Sequence, residues 1–120
     1  MIYCVNTYNY NKIFNNTTHN VKEIPDGKNI WAFAYREDER ALNLLCKPVK
    51  GRIIDNYFYE YKVNGKDLKK NGVSVYARFY TDTYEEAVDG FNQLVSERIK
   101  RLKDEISKLE DMLIINNKTV

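Results

Sequence analysis

The stretch TYEEAVDGFNQLVSERIKRLKDEISKLEDMLII, residues 83–115, decides the fold of this chain. It contains no proline, and its one glycine, Gly90, lies near the start. Thr83 and Glu86 have the Thr-x-x-Glu spacing of a capping box, which predicts that a helix begins there. Apolar residues then recur every three or four positions, as on one face of an α-helix; they are Val88, Phe91, Val95, Ile99, Leu102, Ile106, Leu109 and Leu113.

The predicted helix is too long for a compact single chain. At about 1.5 Å per residue it would reach roughly 50 Å, whereas a compact protein of this size is only about 35 Å across. The helix therefore extends beyond the body, breaks, or packs against a second chain. Two consecutive steps of four, from Phe91 to Val95 and from Val95 to Ile99, form a stutter at which a helix can bend. A break near residues 96–98 is therefore one prediction.

Upstream of the helix, alternating apolar and polar residues predict an antiparallel β-sheet over residues 1–82. The proline and glycine of Pro25–Lys28 predict a turn. Ala41–Cys46 favours a short strand over a helical turn, and Asn64–Gly65 suits a hairpin turn or part of a longer loop. Four other strands are predicted at Ile2–Tyr8, Asn29–Tyr35, Arg52–Val63 and Val73–Tyr80.

These elements predict an α+β fold in one domain covering residues 1–120, with an N-terminal antiparallel sheet and a long C-terminal helix at 83–115 that mediates oligomerisation. With 43% hydrophobic and 30% charged residues the composition is that of a globular protein. A net charge of +2 is too small to indicate a nucleic-acid partner. The N-terminus lacks the features of a signal peptide, and no run is long enough to cross a bilayer. We therefore expect a cytoplasmic protein without a membrane partner.

Catalytic motifs are not evident in the sequence. His19, the only histidine, lies in the polar stretch Asn15–Asn20, which predicts a loop. Neither Cys4 nor Cys46 has a histidine or an acidic residue at the spacing of a nucleophile or a zinc site. Glycine-rich phosphate motifs are absent as well. We therefore expect that the protein is not an enzyme and uses no metal or cofactor.

Arginines and aromatic residues gather around the predicted junction between the last strand and the helix. Aromatic rings can stack on a nucleobase, an amide can read its edge, and guanidinium groups bind phosphates. The same residues also suit a packed sheet face with surface arginines, so both interpretations stay open. The candidate ligand-binding residues are Phe79, Asn92, Arg78, Tyr80, Tyr84, Arg98 and Arg101.

The stretch YARFYTDTYEEA at residues 76–87, followed by FNQL at 91–94 and the heptad-like tail, resembles the small phage-encoded Thoeris anti-defence sponge family. The resemblance implies that the chain sequesters cyclic ADP-ribose immune signals, or cyclic oligonucleotides, without cleaving them, in the cytoplasm of a bacterial host. It also implies assembly through the C-terminal helices into a dimer or a larger oligomer, up to a hexamer. Phe79 and Asn92 are the ligand contacts that it carries over. Phosphate contacts by Arg78, Arg98 or Arg101 are our extension of it.

An alternative is a phage-encoded inhibitor that binds a nucleic acid or a protein partner. Its binding surface would be the tyrosine stripe, Tyr57, Tyr59 and Tyr61, which could stack on bases. Basic residues flank this stripe; they are Lys62, Lys66, Lys69 and Lys70. A third hypothesis is a structural dimerisation module without a ligand.

Overall fold

The computed structural model of the protein describes residues 1–5, 10–14, 18–36 and 45–114. Within these ranges a seven-stranded mixed sheet precedes one long helix, which confirms the predicted α+β order. The strands lie across the sheet in the order β2-β1-β7-β3-β4-β5-β6. The elements are β1 (Ile2–Cys4), β2 (Thr18–Asn20), β3 (Asn29–Tyr35), β4 (Val49–Ile54), β5 (Tyr57–Glu60), β6 (Val73–Ser74), β7 (Arg78–Thr81) and α1 (Tyr84–Met112).

The sheet is not purely antiparallel, because β1 and β2 run parallel with Ile2 opposite Thr18. The polar stretch that predicts a loop thus supplies an edge strand, which needs a hydrogen-bonding partner on one side only. Thr18 is also held by Asn11, whose side-chain oxygen accepts from the Thr18 backbone N–H at 2.8 Å. His19 lies on this edge strand and not in a loop.

The predicted strand Arg52–Val63 is wrong, because the chain turns back at Asp55 and Asn56. Both residues have positive φ, 48° and 67°, as the two-residue turns of tight hairpins require. The turn pairs Ile54 with Tyr57 and separates β4 from β5. The side-chain oxygen of Asp26 accepts from the Asp55 backbone N–H at 2.8 Å and holds the turn. No glycine marks this hairpin, so the sequence pattern missed it.

The predicted strand Val73–Tyr80 is also divided. Ser74 ends β6, and its side chain caps a short 3₁₀ turn at Val75–Ala77. β6 pairs with β5 near one edge of the sheet, whereas β7 lies between β1 and β3 near the centre. All four residues of β7 are buried. Of the other predicted elements, β3 matches its bounds, whereas residues 6–8, 41–44 and 115 lie outside the described ranges.

Two hydrophobic cores cover the two faces of the sheet. The helix-side core lies between the sheet and α1 and consists of Ile2, Cys4, Phe14, Phe33, Ala34, Phe79 and Ala87. The far-side core consists of Tyr3, Val21, Ile24, Ile30, Ala32, Ile53, Phe58, Val75 and Tyr80. Because side chains alternate along a strand, neighbouring residues of β7 enter different cores.

Helix α1 begins as predicted, with the Thr83 hydroxyl oxygen accepting from the Glu86 backbone N–H at 3.2 Å. It continues without interruption to Met112, so the predicted break near residues 96–98 is wrong. The row that faces the sheet also differs from the predicted apolar seam. Its buried members are Ala87, Gly90 and Arg98.

The second half of α1 projects beyond the sheet. All residues from Leu102 to Ile114 are exposed, and the molecule measures 68 × 29 × 22 Å. This confirms that the helix extends beyond the body. The exposed seam, which we define as Ile99, Leu102, Ile106, Leu109 and Leu113, has side chains 44–72% exposed.

Tyr80 is an unusual member of the far-side core. Its hydroxyl is buried and has no hydrogen-bond partner among the described residues. Burial raises the pKa of Tyr80 above its usual value of 10. Removing an unpaired buried hydroxyl is favourable, so we expect Tyr80→Phe to increase the free energy of unfolding at pH 7 by about 1 kcal/mol.

The same substitution tests the pH dependence. A raised pKa means that the unfolded chain loses this proton first, so the free energy of unfolding of the wild type falls as the pH rises above 10. Tyr80→Phe should therefore lose less stability than the wild type between pH 9 and pH 11, measured by urea unfolding. Tyr57→Phe is the matched control because Tyr57 is exposed. Equal pH slopes for the wild type and Tyr80→Phe would contradict this interpretation of Tyr80.

Candidate ligand-binding site

A recess lies where α1 crosses the end of the helix-side core. Its aromatic lining comes from Tyr10, Tyr35 and Phe79, and its charged lining from Arg36, Glu97, Arg98 and Arg101. The cavity volume is about 40 Å³, which corresponds to a few water molecules. Pockets for drug-sized ligands are about 300–1,000 Å³. The recess of one chain therefore accepts a small group and not a whole nucleotide.

Phe79 forms the floor of the recess and is held in the core by other rings. Tyr10 meets it edge-on with ring centroids 4.7 Å apart, and Phe33 stacks on it at 5.6 Å. Phe79 is only 1% exposed. Its ring can support a bound group but offers no open face on which a base could stack.

Arg98 is the most informative side chain of the recess. It is only 8% exposed, and its Nε has no hydrogen-bond partner among the described residues. A buried polar group without a partner costs about 1–3 kcal/mol, and more when it is charged. Three arginines and one glutamate lie among the described lining residues, which therefore carry a net positive charge and suit an anion.

Arg36 is positioned by the strands around it. Its Nε donates to the backbone oxygen of Tyr76 at 2.6 Å, and the Tyr10 hydroxyl donates to the backbone oxygen of Arg36 at 3.0 Å. Neither Arg36 nor Tyr10 was among the predicted site residues. The tertiary fold places both residues beside α1, and no local sequence motif identifies them.

A shallow groove adjoins the recess on the outer side of α1. It has a volume of about 300 Å³, and Asn92, Ser96 and Lys100 are among its lining residues. Ile13 and Glu97 line both the groove and the recess. Asn92 is exposed, so its amide is accessible there. The recess and the groove therefore adjoin at Ile13 and Glu97, and together they contain the predicted residues Phe79, Arg98, Arg101 and Asn92.

Arg78 and Tyr80 lie elsewhere. The Arg78 guanidinium carbon sits 4.6 Å from the centroid of the Tyr35 ring, and its Nε donates to the backbone oxygen of Ala34 at 3.0 Å. Ala34 has a positive φ of 47° beside a bulge between Phe33 and Tyr35. Arg78 therefore braces an irregular part of β3, while Tyr80 fills the far-side core.

Tyr84 is also remote from the recess. It lies in the first turn of α1, where its ring meets Trp31 edge-on with centroids 4.9 Å apart. Arg98 follows Tyr84 by fourteen positions, which is roughly 21 Å along a helix. The structure thus brings together four of the seven predicted residues and leaves three apart.

The tyrosine stripe offers a less complete surface. Tyr57 is 48% exposed, whereas the Tyr59 ring is in close contact with Gly72. Tyr61 donates its hydroxyl to the side-chain oxygen of Asn29 at 2.5 Å. The charge of Lys69 is balanced by Glu60 in an ion pair. The stripe is therefore only partly available for stacking.

Comparison with known proteins adds no assignment to this geometry. No protein-family model, curated protein or solved structure matches the chain. Within the described ranges, no group of three or more histidine, cysteine, aspartate and glutamate residues could hold a metal ion. In the same part of the chain, no helix combines the length and apolar character needed to span a bilayer.

Proposed function

We propose that the protein binds and sequesters a small phosphate-bearing nucleotide as a homo-oligomer, without chemical turnover. The observation that carries this proposal is Arg98, whose buried Nε has no hydrogen-bond partner among the described residues and lies in a recess whose described lining is net positive. A phosphate oxygen would supply the missing acceptor. Guanidinium groups bind phosphate with strong, charge-assisted hydrogen bonds.

The dimensions of the site suggest how such a ligand lies. One phosphate would occupy the recess between Arg98 and Arg101, above Phe79. The ribose and base would extend past Glu97 into the adjoining groove, where the Asn92 amide could bind a base edge. Cyclic ADP-ribose isomers and cyclic oligonucleotides have this combination of phosphates and bases, and they are the ligands that the Thoeris sponge resemblance implies.

Two features support binding without turnover. Glu97 is the single carboxylate among the described lining residues of the recess. His19 lies against Tyr3, at a ring-centroid distance of 6.1 Å, and Tyr3 belongs to the core on the other side of the sheet. In a bacterial cytoplasm, such a sponge would counteract anti-phage signalling by lowering the free concentration of the messenger. The exposed seam of α1 supports the homo-oligomer.

Arg98→Met tests the ligand. Methionine keeps much of the apolar stem but removes the charge, so we expect binding of cyclic ADP-ribose or a cyclic dinucleotide to weaken about 10- to 100-fold. Calorimetry measures the affinity. Asn92→Ala should weaken binding by a smaller factor, since one hydrogen bond to a neutral group is lost.

Arg52→Met is the matched control for Arg98→Met. Arg52 lies on β4, where its Nε donates to the side-chain oxygen of Asn29 at 3.3 Å, away from the recess. This variant should bind as the wild type does. The proposal fails if the wild type binds neither kind of cyclic nucleotide, or if Arg98→Met binds as tightly as Arg52→Met.

A further inference from the structure

The C-terminal half of α1 carries two blocks of opposite charge along its sequence. The basic block, residues 98–103, contains Arg98, Lys100, Arg101 and Lys103 and no acidic residue. The acidic block, residues 104–112, contains Asp104, Glu105, Glu110 and Asp111 against one lysine, Lys108. The exposed seam runs through both blocks.

The acidic block is unfavourable for an isolated helix. The C-terminal end of a helix carries a partial negative charge and favours basic residues there. The last turn of α1 has no basic residue and contains Glu110 and Asp111 instead. A basic surface from outside the chain would relieve this repulsion.

We infer that two copies of the chain pair through the exposed seam with their α1 helices antiparallel, so that Lys103 of each lies beside Glu110 of the partner subunit. A second copy supplies both an apolar stripe to cover the seam and the complementary charges. This inference rests on the homo-oligomer of the proposed function and not on its ligand.

A parallel pair would bring like charges together. The spacing of the seam is that of a heptad repeat with Ile99, Ile106 and Leu113 at position a and Leu102 and Leu109 at position d. Flanking positions g and e of the two helices meet in a parallel coiled coil. Glu105 would then face the partner's Glu110, whereas Arg98 is buried in the recess and is not available to the partner. Two-fold symmetry repeats the repulsive contact.

An antiparallel pair avoids these contacts in one register. Leu102 lies opposite the partner's Leu113, and Ile106 lies opposite the partner's Leu109. Lys103 then comes beside the partner's Glu110, and symmetry makes this attractive contact twice. Sliding the pair by one heptad would bring Lys103 beside the partner's Lys103, so the charges favour the first register.

Charge reversal at Glu110 distinguishes the two orientations by sign. In the antiparallel pair, Glu110→Lys places two lysines together at two sites and should weaken dimerisation about tenfold. In a parallel pair it would replace the repulsion between Glu105 and the partner's Glu110 by an attraction and tighten the dimer. Lys103→Glu should weaken the antiparallel pair to the same extent as Glu110→Lys. Sedimentation equilibrium measures the dissociation constants.

Two further variants complete the experiment. The double variant Lys103→Glu, Glu110→Lys exchanges the partners of the contact and should restore the wild-type dissociation constant. Lys108→Glu makes the same change in net charge as Lys103→Glu at a heptad position outside e and g, and should leave the dimer unchanged. A double variant as weak as either single one, or a Glu110→Lys dimer tighter than the wild type, would overturn the antiparallel register.

The inferred pairing and the proposed ligand can be refuted independently of each other. A wild-type chain that is monomeric throughout the micromolar range would overturn this pairing, whether or not it binds cyclic ADP-ribose in calorimetry. A dimer that shows the expected charge behaviour but binds no nucleotide would support the pairing and contradict the ligand proposal.

Discussion

Replacing Phe79 by alanine is expected to lower the free energy of unfolding by about 3–5 kcal/mol, the usual cost of deleting a buried phenylalanine ring. The side chain is 1% exposed, and it contacts Phe14 and Phe33 with ring centroids 5.6 Å apart in each case. Alanine would leave a cavity bounded by rings on several sides, which can close only in part. Guanidinium chloride unfolding, followed by circular dichroism, measures the loss.

Tyr84→Ala is the matched control for this loss. Tyr84 is also a predicted ligand contact, but it is exposed and meets mainly Trp31. We expect Tyr84→Ala to lower the free energy of unfolding by about 1 kcal/mol or less. A cost for Phe79→Ala no larger than that for Tyr84→Ala would show that Phe79 is not central to the core. Phe79→Leu retains more of the core volume, and it tests ligand binding in a chain that stays folded.

Replacing Gly51 by alanine is expected to destabilise the sheet by about 3 kcal/mol or more, at the upper end of overpacking effects. A Cβ atom at Gly51 would lie 2.3 Å from the backbone oxygen of Tyr59 and 2.4 Å from the Phe58 ring. Gly51 pairs with Glu60 across β4 and β5. The backbone oxygen cannot retreat unless these two strands separate.

Gly27→Ala is the control for the Gly51 prediction. Gly27 has a positive φ of 81°, but a Cβ atom added there would meet open space, with no atom beyond its chain neighbours within 4 Å. Alanine there should cost only the backbone strain of about 1–2 kcal/mol. Thermal unfolding of both variants gives the comparison. A Gly51→Ala chain as stable as Gly27→Ala would contradict the close approach of β4 and β5.

Local signals predicted the elements that depend on local chemistry. The Thr83 cap and the turn at Gly27 are set by neighbouring residues, and both are confirmed. The hairpin at Asp55 and Asn56 was missed because these residues adopt positive φ without a glycine. The parallel pairing of β1 with β2 was missed because it joins residues far apart in sequence, which periodicity cannot report.

The candidate site was predictable to the same extent. Arg98 and Arg101 lie on the helix at a spacing that puts them on one face, and the sequence identified both as site residues. Arg36 lies near them because the order of the strands in the sheet places it there, which the sequence pattern does not report. The predicted apolar seam includes Val95 and Ile99, whereas the residues of α1 that are buried against the sheet include Gly90 and Arg98. Because α1 has one face against the sheet and a separate exposed apolar face, a single apolar stripe in the sequence could not predict both.

The uninterrupted course of α1 has a consequence for stoichiometry. In the inferred dimer the two Arg98 residues lie roughly 28 Å apart along the helix axis, at about 1.5 Å per residue. A straight rod without a hinge keeps the two recesses at that separation. Each subunit then fills independently, with one nucleotide per chain and a Hill coefficient near one.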